Sequence, residues 1–200
     1  VSKHLSLGGW RLGTAVLPDH DEGRMLMMAM RAVAGEIWSS STAPVQYAAL
    51  EAYGDDKDVW NYVEECTRIH TMRTQYVWEK IAALGVNCPQ PAGGFYMFPN
   101  FDQWRDQLAR LGVTTSDELA DYLLDTYQIA TLPGTTFGVR PEDLSLRLST
   151  SYLDMETDGK AAALLNRFRQ QGYDAGLMES DHPLMNEALQ RIGRFVETLG

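Results

Sequence analysis

One long amphipathic helix divides this chain and limits what the rest of it can build. Asp55, Asp56 and Asp58 open it, where carboxylates complement the positive end of the helix dipole, and Gly85 stops it after Leu84. Val59, Tyr62, Val63, Cys66, Ile69, Met72, Tyr76 and Ile81 recur at three-and-four spacing and form a core or interface stripe. The texture differs on its two sides. Helical stretches dominate before it, and short strands alternate with helices after it, which argues an α/β or α+β arrangement. A boundary within or after the helix leaves a short first part and a self-contained second part over 86–200.

The first part opens on a Gly-rich stretch with Gly8, Gly9 and Gly13. Leu12 to Leu17 reads as a short strand, ended by Pro18 and the acidic turn Asp19–Glu22. A helix is expected from Arg24 to about Ser39, with Met25, Met28, Ala29, Ala32, Val33 and Ile37 on one face. The Ser39–Thr42 hydroxyls offer caps for a second helix that has Pro44 in its first turn and ends near Gly54. In the second part, strands are expected at Gly94–Pro99, Ile129–Leu132 and Leu146–Thr150. Helices are expected at about 101–111, 116–126, 156–171 and 183–199, the second capped by Thr115 or Ser116.

Composition removes several function classes. With 17 Lys and Arg against 27 Asp and Glu, the net charge is -10. Nucleic acid and anionic membrane surfaces call for clustered cations, so neither is an expected partner. No apolar run reaches the roughly 18 residues of a membrane span, since Met25–Trp38 is broken by Arg31 and Glu36. Cys66 and Cys88 lie far apart, as reduced thiols of a cytoplasmic protein would. The four histidines show no HExxH and no Cys/His cluster, so no metal site is expected.

The opening carries the most chemistry. Lys3 sits among small and apolar neighbours, and Arg11 follows between glycines in Gly8-Gly9-Trp10-Arg11-Leu12-Gly13. A lysine amine attacks an aldehyde once deprotonated, and an arginine on a Gly-rich loop holds a phosphate in two-pronged fashion. An aldehyde partner beside a phosphate partner is what pyridoxal 5'-phosphate requires. By itself the pair also fits two ordinary surface cations.

The stretch Val1-Ser2-Lys3, then Ser6-Leu7, Gly9, Arg11, Leu12 and Gly13 resembles the lysine signature of the class I/II aminotransferases, pyridoxal-phosphate enzymes of fold type I. Four more blocks resemble that family in the right order: Ser41–Ala49, Pro91–Pro99 with Gly93-Gly94-Phe95-Tyr96, Leu132–Gly138, and Leu146-Arg147-Leu148-Ser149. The resemblance covers about residues 1–151.

It implies an α/β fold made of the C-terminal part of a fold type I enzyme. The end of the large cofactor-binding domain would occupy 1–55, the connecting helix 56–85, and an α+β small domain 86–200. It implies that Lys3 forms the imine with pyridoxal 5'-phosphate and then moves the proton at the substrate Cα. Arg11 would hold the cofactor phosphate, Ser2 would touch the cofactor, and Arg147 would grip the substrate α-carboxylate. An amino acid and a 2-oxo acid would be the substrates, and the full-length protein would be a homodimer with its site built between subunits. His4 falls at a free position of the signature and reads as a bystander. The aromatic group Phe95, Tyr96, Phe98, Phe101 and Trp104 reads as core, and the PGTTFG stretch as turn chemistry that also lies near the active-site entrance in this family.

The sequence departs from the family in two ways. It starts inside the lysine motif, one position after the expected Ser or Gly. The family's phosphate turn, ring-stacking aromatic, Asn, ring-nitrogen Asp and following Tyr would all lie upstream. The expectation is therefore an incomplete chain that does not transaminate alone and exposes apolar surface over 1–54. The tail is the second departure, with a stretch near Gly172–Pro183 longer than the family usually shows and a closing helix of no assigned function. Two other readings remain open at this point: a lyase or synthase on the same fold, and a non-catalytic scaffold derived from the small domain.

Overall fold

The computed structural model describes residues 1–173, 176–177 and 179–200. It divides into two compact units, Val1–Cys66 and Thr67–Gly200, with the division inside the long helix.

The first unit holds helices α1 (Asp21–Ile37) and α2 (Ala43–Ala52) and the start of α3 (Lys57–Ala83). α1 begins three residues earlier than its apolar pattern implies. His20 provides the reason: its Nδ1 accepts from the Gly23 N–H at 3.2 Å and caps the helix. A glycine is required at that point, because a Cβ on Gly23 would lie 1.9 Å from the Pro18 carbonyl oxygen. Gly35 does not interrupt the helix. Leu12–Leu17, expected as a strand, belongs to no strand, and Val16 is 94% exposed. A strand is a ladder, and no described strand offers this segment a partner. Only Val1 and Gly23 are buried in the whole unit. Met25, Met28, Val33, Ile37 and Trp38 are all exposed, as the sequence reading anticipated for 1–54.

The second unit contains the core. α3 contributes Ile69 and Ile81 from its expected stripe, and Val77, which that stripe did not include, in place of Tyr76. Three short strands follow, β1 (Tyr96–Met97), β2 (Leu132–Pro133) and β3 (Leu146–Ser149), in the antiparallel order β1-β3-β2. Tyr96 faces Ser149 in register, and Leu132 faces Arg147. Each strand is shorter than its sequence pattern suggested. Pro133 has no N–H for a ladder, so β2 ends there.

The remaining helices are α4 (Arg105–Arg110), α5 (Ser116–Tyr127), α6 (Asp158–Gln171) and α7 (Pro183–Glu197). Thr115 and Glu118 form a reciprocal capping box that starts α5. α7 places Met185, Ile192, Phe195 and Val196 on one face and packs against α5. Ile81, Leu108, Leu119, Leu144, Leu146 and Phe195 are fully buried together. The closing helix is thus a structural part of the core. Of the Gly172–Pro183 stretch, Asp174, Ala175 and Met178 lie outside the described residues. No helix among the described residues is long and apolar enough to cross a membrane.

Candidate functional site

The four candidate residues fall into both units. Ser2, Lys3 and Arg11 belong to the first, and Arg147 to the second.

In the first unit, Ser2 to Leu5 form a tight turn, with the Leu5 N–H donating to Val1 O and the Ser6 N–H to Lys3 O, both at 3.3 Å. The Val1 nitrogen donates to Leu12 O at 3.3 Å, which ties this turn to the segment just after Arg11. Lys3 is exposed. Arg11 follows a 3-10 turn over Gly8–Trp10 and takes the left-handed conformation, φ 52°. Its guanidinium donates to Gly8 O at 2.9 Å. Arg11 lines an open cavity of about 910 Å3 together with Trp10, Trp38, Ser40, Ser41 and Thr42. The sequence suggested that these hydroxyls cap α2. Thr42 does occupy the cap position, but its hydroxyl makes no capping bond. A cation and several hydroxyls around one cavity suit an oxyanion, and two tryptophans suit a flat apolar body. The residues lining it therefore suit the phosphate end of pyridoxal phosphate, and Lys3, the candidate for its aldehyde end, is not among them. His4 lies at a tilt against Tyr53, ring centroids 5.8 Å apart.

In the second unit, Arg147 sits in the middle of β3. Its guanidinium lies 4.2 Å from the Tyr96 ring centroid and 4.7 Å from that of Phe137. Tyr96 comes from the neighbouring strand β1, and Phe137 from the 3-10 turn over Gly134–Phe137. That turn is held close to β3 because the Gly134 N–H donates to Ser145 O at 2.9 Å. A Cβ on Gly134 would lie 2.6 Å from Ser145 Oγ, so only glycine permits the approach.

Two rings occupy the surroundings of a planar cation, each contact worth about 0.5–2 kcal/mol. Arg147 is half-buried, yet among the described residues no hydrogen bond or ion pair engages its N–H groups. Among the described residues no carboxylate pairs with it. An ordered, partly desolvated fork with unused donors is suited to a carboxylate.

Sequence reasoning took the aromatic group as core, and the structure splits it. Phe101 is buried against Trp104 and Phe195, whereas Tyr96 stacks on Arg147. Phe137 went unnoticed inside the turn reading of PGTTFG. The signal that could have found Tyr96 is strand pairing, since the GGFY block pairs with the LRLS block.

The chain matches the model of the aminotransferase class I and II family over residues 1–165, a span that includes all four candidate residues. It is similar to the aspartate aminotransferase of Geobacillus stearothermophilus, 33% identical over 171 residues, covering 85% of this chain and 40% of that protein. It is 30% identical over 197 residues to the aspartate aminotransferase of Bacillus subtilis (strain 168), covering 98% of this chain and again 40% of the relative. Among solved structures, the aromatic aminotransferase from Pyrococcus horikoshii OT3 superposes with a TM-score of 0.66 at 22% identity. It covers 97% of this chain and 40% of that one. That likeness shows a shared fold, part of the α/β fold type I architecture. The chain spans about 40% of the length of these relatives. Its matched span, its ordered motifs and its fold agree: the chain belongs to the class I and II aminotransferase family.

Proposed function

We propose that the protein of which these residues form part is a pyridoxal-phosphate-dependent aminotransferase, moving an amino group between an amino acid and a 2-oxo acid. One observation supports this reading best. Arg147 offers an ordered guanidinium, bracketed by Tyr96 and Phe137, with no partner for its N–H groups among the described residues. Every substrate of such a reaction carries a carboxylate next to the reacting carbon. Binding there fixes Cα and leaves its remaining substituents to the catalytic groups.

When bound, pyridoxal phosphate supplies a ring that takes up the electron pair left at the substrate Cα. Arg11 would hold its phosphate, aided by the hydroxyls that line the same cavity, and Ser2 would touch the cofactor from its place next to Lys3 in the chain. Lys3 would hold its aldehyde carbon and would carry the proton to and from the substrate Cα. In this reading 1–55 end the cofactor-binding domain, 56–85 are the connecting helix, and 86–200 form the small domain. Aspartate is the first substrate to try, because both curated relatives above are named for it. The reading includes a homodimer in the cytoplasm.

The test uses the intact protein. Borohydride with pyridoxal phosphate should leave one stable adduct on Lys3, located by peptide mass spectrometry, and Lys3→Ala should abolish it. Aspartate with 2-oxoglutarate should then give glutamate. An adduct at other lysines only, or elimination without amino exchange, would overturn the reading.

A further inference from the structure

Arg73 is the largest fully buried side chain among the described residues, and its surroundings go beyond what a core requires. It lies on α3 between Ile69 and Val77, on the apolar face. A buried cation costs several kcal/mol unless its donors are met. Here Nε and Nη2 donate to Thr150 O at 3.2 and 3.1 Å, and Nη2 also donates to Leu153 O at 2.7 Å. Both carbonyls belong to the segment through which the chain leaves β3. Nη1 meets His182 Nδ1 at 2.5 Å. Arginine has no acceptor, so Nδ1 must be the acceptor and the imidazole must be neutral, with its proton on Nε2. That Nε2 is buried and has no partner among the described residues.

His182 directly precedes α7, and a second tie joins the same two segments. The Asp154 carboxylate accepts from the Leu184 N–H at 2.9 Å and the Met185 N–H at 3.0 Å, capping α7 from the loop after β3. A third fixes the strand exit itself. The Thr150 and Thr74 hydroxyls are 2.7 Å apart, and the Thr150 N–H donates to Phe95 O at 2.9 Å. Arg147 lies three residues before Thr150, on the strand that all these bonds terminate.

We propose that Arg73 and His182 are positioning residues for Arg147: together they latch the docked start of α7 to the exit of β3, and so hold the carboxylate-binding guanidinium between its two rings. The carboxylate role of Arg147 rests on the function proposed above, whereas the latch stands on its own bonds. The closing helix therefore acts on substrate binding without touching substrate. A neutral acceptor is needed because a second cation there would face the guanidinium. Burial and the Arg73 charge hold the His182 pKa down at about 4, in keeping with a neutral ring.

Two variants of the full chain separate positioning from bulk stability. His182→Leu removes the acceptor, and His182→Asn restores one close to the place of Nδ1. Amide hydrogen exchange is read at Leu148 and Thr150 and, as a control, at Leu119–Leu123 in α5. The latch predicts about tenfold faster exchange at β3 in His182→Leu, little change in α5, and recovery in His182→Asn. Equal acceleration in α5, or none at β3, overturns the latch.

The second readout is protection of Arg147 from phenylglyoxal by succinate, followed by peptide mass spectrometry. The protecting concentration should rise about tenfold in His182→Leu and return in His182→Asn. Faster exchange at β3 with unchanged protection overturns the positioning role. If succinate fails to protect Arg147 in the unaltered chain, the carboxylate reading falls, and the exchange pattern alone decides the latch.

Discussion

Arg147 and His182 show how much one side chain's surroundings decide at the scale of a residue. Two rings order the plane of Arg147, while its N–H edge is engaged by none of the described residues. Lysine would keep the charge but lose the planar fork and the stacking. Arg147→Lys should therefore weaken carboxylate binding by about tenfold to a hundredfold, the worth of one strong charge-assisted bond, with the fold intact. Titration of succinate protection, set beside a thermal melt, checks both halves. His182 depends on remaining neutral. Its pKa falls from 6.5 to about 4 in the folded chain, chiefly through burial and then through Arg73. The unfolded chain thus binds a proton more readily. The contribution of His182 to stability is complete above pH 6.5, shrinks as the pH falls below that, and is gone below about 4. Its full size is on the order of 3 kcal/mol. Urea melts at pH 7 and pH 4.5 should show this loss, and His182→Asn should flatten the slope. The sequence made Arg147 legible through its LRLS block. It hid Arg73, because a single arginine within an apolar stripe reads as a neighbour of the core, four residues from both Ile69 and Val77.

Among the elements, helices were read more reliably than strands, for a physical reason. A helix satisfies its own backbone, so caps and periodicity mark its ends, as Thr115 and Glu118 do for α5. A strand depends on a neighbour. Leu12–Leu17 has strand chemistry but no ladder partner among the described residues, and it pairs with nothing. Ile129–Leu132 contracts to Leu132–Pro133 because β3 meets only that part. The turn after β2 was read as loop chemistry, yet it delivers Phe137 to Arg147. Gly134 is the pivot of that delivery. Gly134→Ala would place a methyl 2.6 Å from Ser145 Oγ and 3.1 Å from Ser145 O, and the backbone oxygen cannot swing aside as a side chain does. The expected cost is about 1–3 kcal/mol of stability. Protection of Arg147 should weaken with it, because Phe137 moves. A melt together with succinate titration of Gly134→Ala tests both, and an unchanged pair of values would remove the turn from the site.

At the scale of the whole molecule, the two units differ most in what they bury. Val1–Cys66 buries only Val1 and Gly23, while Thr67–Gly200 contains a continuous core from Val77 to Leu199. Stability follows burial, so local opening should be far easier in the first unit. Met25, Met28, Val33 and Ile37 lie exposed along α1, an apolar face that invites self-association. Limited trypsin digestion of the chain should therefore cut first at Arg24 and Arg31, on that exposed helix. A resistant product beginning within α3 and ending at the last residues should accumulate. Arg147, Tyr96, Phe137, Arg73 and His182 all belong to Thr67–Gly200. The product should thus retain succinate protection of Arg147 even though Lys3 and Arg11 are lost with the first unit. Mass spectrometry of the digest and a repeat of the protection assay decide the matter. A product that persists but no longer protects Arg147 would mean that the carboxylate grip needs more than the strand, its two rings and the helix latched behind them.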